Sequence, residues 1–171
     1  MIKLIEGRGQ LGEKLQEIIE REKIVSSSDI QIYHTWNITD KSERTQSECF
    51  NRFKQFVDDN PDSKIIFTST YSQTDNFYNY FKQMAEAYLL THNKNGYVIR
   101  IPTIIGKGVC ERFRNNELEA YGKMELITLE DASLEILKIA QSEPLIRSFR
   151  IEGAIIPAKL AKELILFGAK K

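Results

Sequence analysis

With 171 residues, 42% of them apolar and 28% charged, the chain amounts to one domain and lies outside the compositions of disordered, collagenous and membrane-spanning proteins. Its 24 Lys and Arg balance 24 Asp and Glu. No excess of basic charge therefore invites nucleic acid or an anionic membrane through counterion release, which leaves room only for a local anion site. Cys49 and Cys110 belong to no CxxC or Cys/His cluster and the chain begins without a long apolar run, so a cytoplasmic protein with reduced thiols is expected.

Short apolar runs alternate with amphipathic stretches, the pattern of a parallel sheet covered by helices. Residues 1–5 read as a first strand, and Leu11, Leu15, Ile18 and Ile19 follow at helical spacing until the break at 26–29. A strand over 30–33 precedes a helix over 42–58, whose apolar face holds Cys49, Phe50, Phe53, Phe56 and Val57 and which ends before Asn60-Pro61-Asp62. The next strand is 64–68. A Ser/Thr-rich stretch, 68–74, leads into a helix from Asp75 to about Thr91, ended by Asn93-Lys94-Asn95-Gly96, and a strand over 97–101 stops at Pro102. Gly106-Lys107-Gly108 opens a loop. A strand over 124–128, a helix through Ala132, Ile136, Leu137 and Ala140, a strand over 149–152 and a terminal helix through Leu160, Leu164 and Ile165 complete the series. The fold class expected is α/β: a single Rossmann-like, doubly wound domain over 1–171, with five to seven mostly parallel strands, helices on both faces and a ligand site at the carboxyl ends of the strands.

Gly7-Arg8-Gly9-Gln10-Leu11-Gly12 is a G-x-G-x-x-G hexad placed directly after the first strand, at the opening of the first helix. In that position Gly7 makes a tight turn, Gly9 lets a pyrophosphate approach the backbone, and Gly12 lets helix and strand pack closely. Free N–H groups at the helix start then face the phosphates. The same six residues also suit a glycine-rich turn that binds nothing. The second strand ends in His34-Thr35 rather than in the acid that selects NAD through a ribose hydroxyl. Arg8 either neutralises a 2′-phosphate, which would favour NADP, or is simply an exposed arginine. Asp40 either reaches the adenine or caps the next helix.

Tyr78 and Lys82 stand four apart, so both leave the same helix face. An ammonium near a phenol favours phenolate and draws the Tyr pKa toward the working pH, fitting the hydroxyl for proton transfer. Ser69 and Thr70, at the end of the preceding strand, supply a hydroxyl toward a substrate carbonyl. The competing reading is an aromatic helix face, with Tyr80 and Phe81 interleaved, carrying a solvated lysine.

Five blocks occur in the order found in extended short-chain dehydrogenases/reductases: residues 9–16 of the hexad and its helix, Ser69-Thr70, Tyr78 with Lys82 and Glu86, Val98-Ile99-Arg100-Ile101-Pro102, and residues 127–132. The chain most resembles the nucleotide-sugar epimerases and the dTDP-4-dehydrorhamnose reductase branch. That resemblance implies NAD or NADP over Gly7, Arg8, Gly9, Gln10, Leu11 and Gly12, with Asp40 and Pro102 at the edges of the cofactor site. It further implies Tyr78 as acid/base, Lys82 on the nicotinamide ribose, and Ser69 or Thr70 as the third catalytic member. The activity implied is oxidoreduction or epimerisation at a keto or hydroxy group of a nucleotide-activated sugar, for polysaccharide biosynthesis. A regulatory or accessory module that keeps the fold without a complete substrate pocket is the other reading. A homo-oligomer is expected, because the segment from Gly106 to Lys123 is short for a substrate lid. No metal is expected, His34 and His92 having no ligand-spaced companions. Trp36 is a core or lid residue or an adenine stack, Cys110 lacks a paired histidine for thiol chemistry, and Glu130-Asp131 suit a helix start.

Overall fold

The structure is a computed structural model and describes residues 1–5, 9–26, 29–70, 72 and 74–168. Its elements run β1 (Ile2–Ile5), α1 (Gln10–Arg21), β2 (Ile30–Tyr33), α2 (Glu43–Asp59), β3 (Lys64–Thr70), α3 (Phe77–His92) and β4 (Gly96–Ile101). There follow β5 (Thr103–Ile105), α4 (Lys107–Arg114), β6 (Lys123–Thr128), α5 (Leu129–Gln141), β7 (Ser148–Arg150), β8 (Ala154–Pro157) and α6 (Ala158–Gly168).

The main sheet has the order β1-β2-β3-β4-β7, every pair parallel. Alternation along each strand divides the apolar side chains between two faces. Ile30, Ile32, Ile66 and Ile99 pack under Leu15 and Ile18 of α1 and Ile136 and Leu137 of α5. On the other face Tyr33, Ile65, Phe67 and Val98 pack under Phe53 and Val57 of α2 and Ala85 and Leu89 of α3. The aromatic rings of that second face interlock, Phe53 and Phe67 lying 4.5 Å apart and Tyr33 and Phe53 4.8 Å apart between centroids. This is the Rossmann-like α/β architecture that the alternating pattern implies, with helices on both faces.

Helix starts follow side-chain chemistry. Ser42 caps α2 by accepting from the Thr45 N–H, Asn76 caps α3 by accepting from the Asn79 N–H, and Thr128 caps α5 through a reciprocal pair with Asp131. Glu130, in the first turn of α5, bridges to Lys14 and Arg21 of α1 and so ties the two helices of one face together.

The segment from Gly106 is not a plain loop: residues 107–114 form α4, anchored by the fully buried Phe113. β5 and β8, which the pattern does not announce, flank β6 in a second sheet of order β5-β6-β8, parallel on one side and antiparallel on the other. Among the described residues no helix is long and apolar enough to cross a membrane.

β1, β2, β3 and β4 step across the sheet in a single direction, yet α1 covers one face and α2 and α3 the other. The β1–α1–β2 crossover therefore has the opposite hand to the two that follow it and the same hand as the β4-to-β7 connection through α5.

Candidate active site

The first helix begins at Gly9, which adopts φ 97° and offers no side-chain cap to α1. A Cβ at Gly9 would meet nothing within 4 Å, so among the described residues the backbone here is open to a ligand and no side chain caps the first N–H groups of α1. Gln10 is tied to the start of α4. Its Oε1 accepts the Lys107 N–H at 2.9 Å, and Gly106 lies so close that a Cβ there would come within 2.2 Å of the same oxygen. The start of α4 is thereby pinned to the start of α1 across 97 residues of sequence. Leu11 packs into the α1/α5 core and Gly12 is buried on the inner side of α1. Gly7 and Arg8 lie outside the described residues, as do Ser27 and Ser28, Tyr71 and Gln73 of the Ser/Thr-rich stretch, the Lys170-Lys171 tail, and the side chain of Cys110.

At the carboxyl end of β3, strand alternation separates the two candidate hydroxyls. Ser69 shares the face of Ile65 and Phe67, toward α2 and α3, whereas Thr70 points with Ile66 to the opposite face. Ser69 is 5% exposed, and its Oγ has no hydrogen-bond partner among the described residues. Thr70 Oγ1 accepts the Ser72 N–H at 3.1 Å. The hydroxyl on the Tyr78/Lys82 side is therefore that of Ser69.

Tyr78 and Lys82 occupy the first two turns of α3. Lys82 is buried, and its Nζ donates to the Thr68 carbonyl at 2.8 Å. Around it stand the rings of Phe67 at 4.9 Å, Trp36 at 5.3 Å and Tyr78 at 5.7 Å from Nζ to centroid. Burial pulls the Lys82 pKa down to about 7, against the opposing attraction of the Glu86 carboxylate. Tyr78 is pushed up to about 12 by burial. The pair thus titrates in the direction opposite to that expected from a charged lysine beside a phenol: desolvation outweighs the attraction, and Tyr78 stays a neutral donor across the physiological range. A second cation not visible in the helix spacing, Lys41, stands 5.7 Å from the Tyr78 ring centroid.

The supporting residues mostly escape a reading of sequence. Trp36 donates from Nε1 to Gln46 Oε1 at 2.7 Å, and the fully buried Gln46 donates in turn to the carbonyls of Asn37 and Asp40. Asn79 donates to Ser72 Oγ and to the Thr74 carbonyl, fastening the segment between β3 and α3, while its buried Oδ1 finds no partner among the described residues. Asp40 accepts the Thr45 hydroxyl at 2.5 Å and the Ser42 N–H at 2.9 Å, contacts that hold its carboxyl below the usual range; both oxygens serve the start of α2. Pro102 is buried between β4 and β5. Glu86 accepts from Nε and Nη2 of Arg100, the residue in register with Ser69. His92 stacks on Tyr88 at 3.9 Å, and no cluster of metal-ligating side chains occurs among the described residues. A cavity of about 740 Å³ lined by Asp29, Lys64, Asn95 and Tyr97 opens at the amino ends of the strands, the end away from Ser69.

Known structures have a similar fold. The dTDP-4-dehydrorhamnose reductase from Bacillus anthracis in complex with NADP aligns at a TM-score of 0.77 with 13% identity, over 99% of this chain and 80% of that one. The Bordetella bronchiseptica enzyme WbmH in complex with NAD+ aligns at 0.74 with 10% identity, over 99% and 81%. The UDP-N-acetylglucosamine 4-epimerase from Bacillus cereus aligns at 0.65 with 16% identity, over 95% and 82%. The chain has their fold. No family model and no curated protein sequence matches it.

Proposed function

We propose that this chain is an NAD(P)-dependent oxidoreductase or epimerase of the short-chain dehydrogenase/reductase type, acting on a keto or hydroxy group of a nucleotide-activated sugar. One observation carries the reading. Ser69, with a buried hydroxyl that lacks a partner among the described residues, shares a sheet face with Tyr78 and Lys82 at the carboxyl end of β3. The fold likeness to reductases and epimerases of nucleotide sugars supports the substrate class.

The start of α1 fits a pyrophosphate, because Gly9 leaves open space and α1 has no side-chain cap. A nicotinamide dinucleotide bound there supplies the hydride acceptor or donor that the side chains themselves lack. The protein's own part is polar positioning. Ser69 Oγ donates to the substrate carbonyl oxygen and fixes its place. Tyr78, kept neutral by burial, gives that oxygen a proton on reduction and takes it back in the reverse direction. Lys82, inside the aromatic cage, holds the Thr68 carbonyl and sets the field at the phenol.

Titrating the protein with NADH and NADPH by nicotinamide fluorescence, then mixing the complex with a panel of keto-sugar nucleotides in a stopped-flow instrument, tests the reading. Binding followed by loss of nicotinamide absorbance is expected. Binding with no oxidation across the panel would leave a non-catalytic nucleotide-binding protein, and no binding at all would overturn the proposal.

A further inference from the structure

We infer that this chain reads only the nicotinamide nucleotide and pyrophosphate of its cofactor, and discriminates neither the purine base nor the 2′-phosphate of the adenosine end. The inference rests on the proposed function and concerns which part of the ligand the protein recognises.

A dinucleotide is ordinarily held across a crevice with strands on both sides of the first one. The strand that follows the glycine turn and its helix lies on the far side, and an acid near its end, about 20 residues on, takes the adenosine ribose. Here the strand that follows α1 is β2, and it pairs with β1 on one side and β3 on the other. β1 is consequently an edge among the described residues. Only eight residues, 22–29, join α1 to β2, too few for another helix and strand.

The residues after β2 are correspondingly committed elsewhere. Trp36, in the segment where a ribose-binding group would otherwise be sought, walls the Lys82 ammonium at 5.3 Å and packs 5.7 Å from Phe67 between centroids. Asp40 spends its carboxylate on Thr45 and Ser42. Ser69, Tyr78 and Lys82, on β3 and α3, stand on the inner side of β1. A ligand seated on the α1 N-terminus is therefore gripped at its pyrophosphate and at the end that extends over β2 and β3, while its other end extends past β1, an edge strand among the described residues.

Binding measurements on the whole chain test this with five compounds: NADH, NADPH, reduced nicotinamide hypoxanthine dinucleotide, reduced nicotinamide mononucleotide and ADP-ribose. The first three are expected to bind within about threefold of one another, the mononucleotide within about tenfold of NADH, and ADP-ribose at least tenfold more weakly than NADH. A tenfold preference for NADPH or NADH over the other, or a tenfold loss on changing the base, overturns the inference and leaves the proposed function standing. Failure of all the nicotinamide compounds to bind overturns both.

Discussion

Lys82 donates its ammonium to the carbonyl of Thr68, 14 residues earlier, at 2.8 Å inside a ring of three aromatic side chains. A lysine so placed spends its hydrogen bond on the backbone of the catalytic strand and keeps little water. Its stability consequence has a definite sign. In the folded chain Lys82 titrates at about 7, while an unfolded lysine titrates near about 10.4. Below pH 7 both states are charged and the folded state bears the full cost of burying the charge. Between about 7 and about 10 the unfolded chain binds a proton that the folded chain does not, so stability rises with pH.

Lys82→Met removes that dependence. It also leaves the Thr68 carbonyl unpaired, but by the same amount at every pH. The substitution should therefore be relatively more favourable at pH 6 than at pH 9, and urea unfolding of both proteins at the two values measures the difference. Equal differences would mean that Lys82 is not buried as a titrating ammonium.

The Glu86–Arg100 pair is expected to matter more than a surface ion pair, because the Glu86 side chain is only 6% exposed and the pair locks α3 to β4. Glu86→Gln should cost about 1–3 kcal/mol, the range for losing hydrogen bonds to charged groups with one partner left partly buried. It should also lower the Lys82 pKa further, since the Glu86 carboxylate raises it. Denaturant midpoints at pH 7 read the first effect and the pH dependence of stability reads the second. A loss below about 0.5 kcal/mol would place the pair with exposed salt bridges.

The parts of this molecule legible in sequence are those whose signal is local. β1, β2 and β3 are apolar runs between breakers, α2 carries Phe53 and Val57 on one stripe, and the hexad sits where a strand meets a helix, so each is readable within a short window. α4 was hidden because Phe113 is the one deeply buried side chain among those described in it, too little for a periodic pattern. β5 and β8 span three and four residues and owe their existence to β6, a partner distant in sequence. At the site, the spacing of Tyr78 and Lys82 was readable, but the choice of Ser69 over Thr70 needs the strand's facing, and the cage of Trp36 and Phe67 needs the neighbours of β2. Sequence order does not say which strand lies beside which, so the position of β1 at an edge had no local signature.

Gly153 lies just before β8, where that strand comes against β6. A Cβ there would lie 2.5 Å from the Leu126 carbonyl oxygen and 2.8 Å from its carbon, backbone atoms of a strand held in the sheet. The Gly153 N–H also donates to Glu125 Oε1 at 2.8 Å. Gly153→Ala should destabilise by about 1–3 kcal/mol, as overpacking against a fixed neighbour does. The loss should be concentrated in β6 and β8, where amide hydrogen exchange would quicken ahead of β3 and β4.

Tyr78→Phe separates proton transfer from packing, because it keeps the ring beside Lys41 and Lys82 and removes only the hydroxyl. If the chain turns over a keto sugar, the rate should fall by about 10²-fold or more, within the span usual for a lost general acid, with nicotinamide affinity little changed. The pH profile adds an independent reading. Tyr78 titrates at about 12 and so imposes no inflection between pH 6 and 9, whereas Lys82 titrates at about 7. If the ammonium sets the field that lets the phenol give up its proton, wild-type turnover falls as pH rises through about 7, and Lys82→Met both lowers the rate and abolishes the inflection. A wild-type profile flat across this range would remove Lys82 from the proton step and leave it as the prop beneath Thr68. A Tyr78→Phe protein that turns over as fast as wild type would remove Tyr78 as well, and Ser69 would then be the one hydroxyl left on that face of β3 to account for any chemistry.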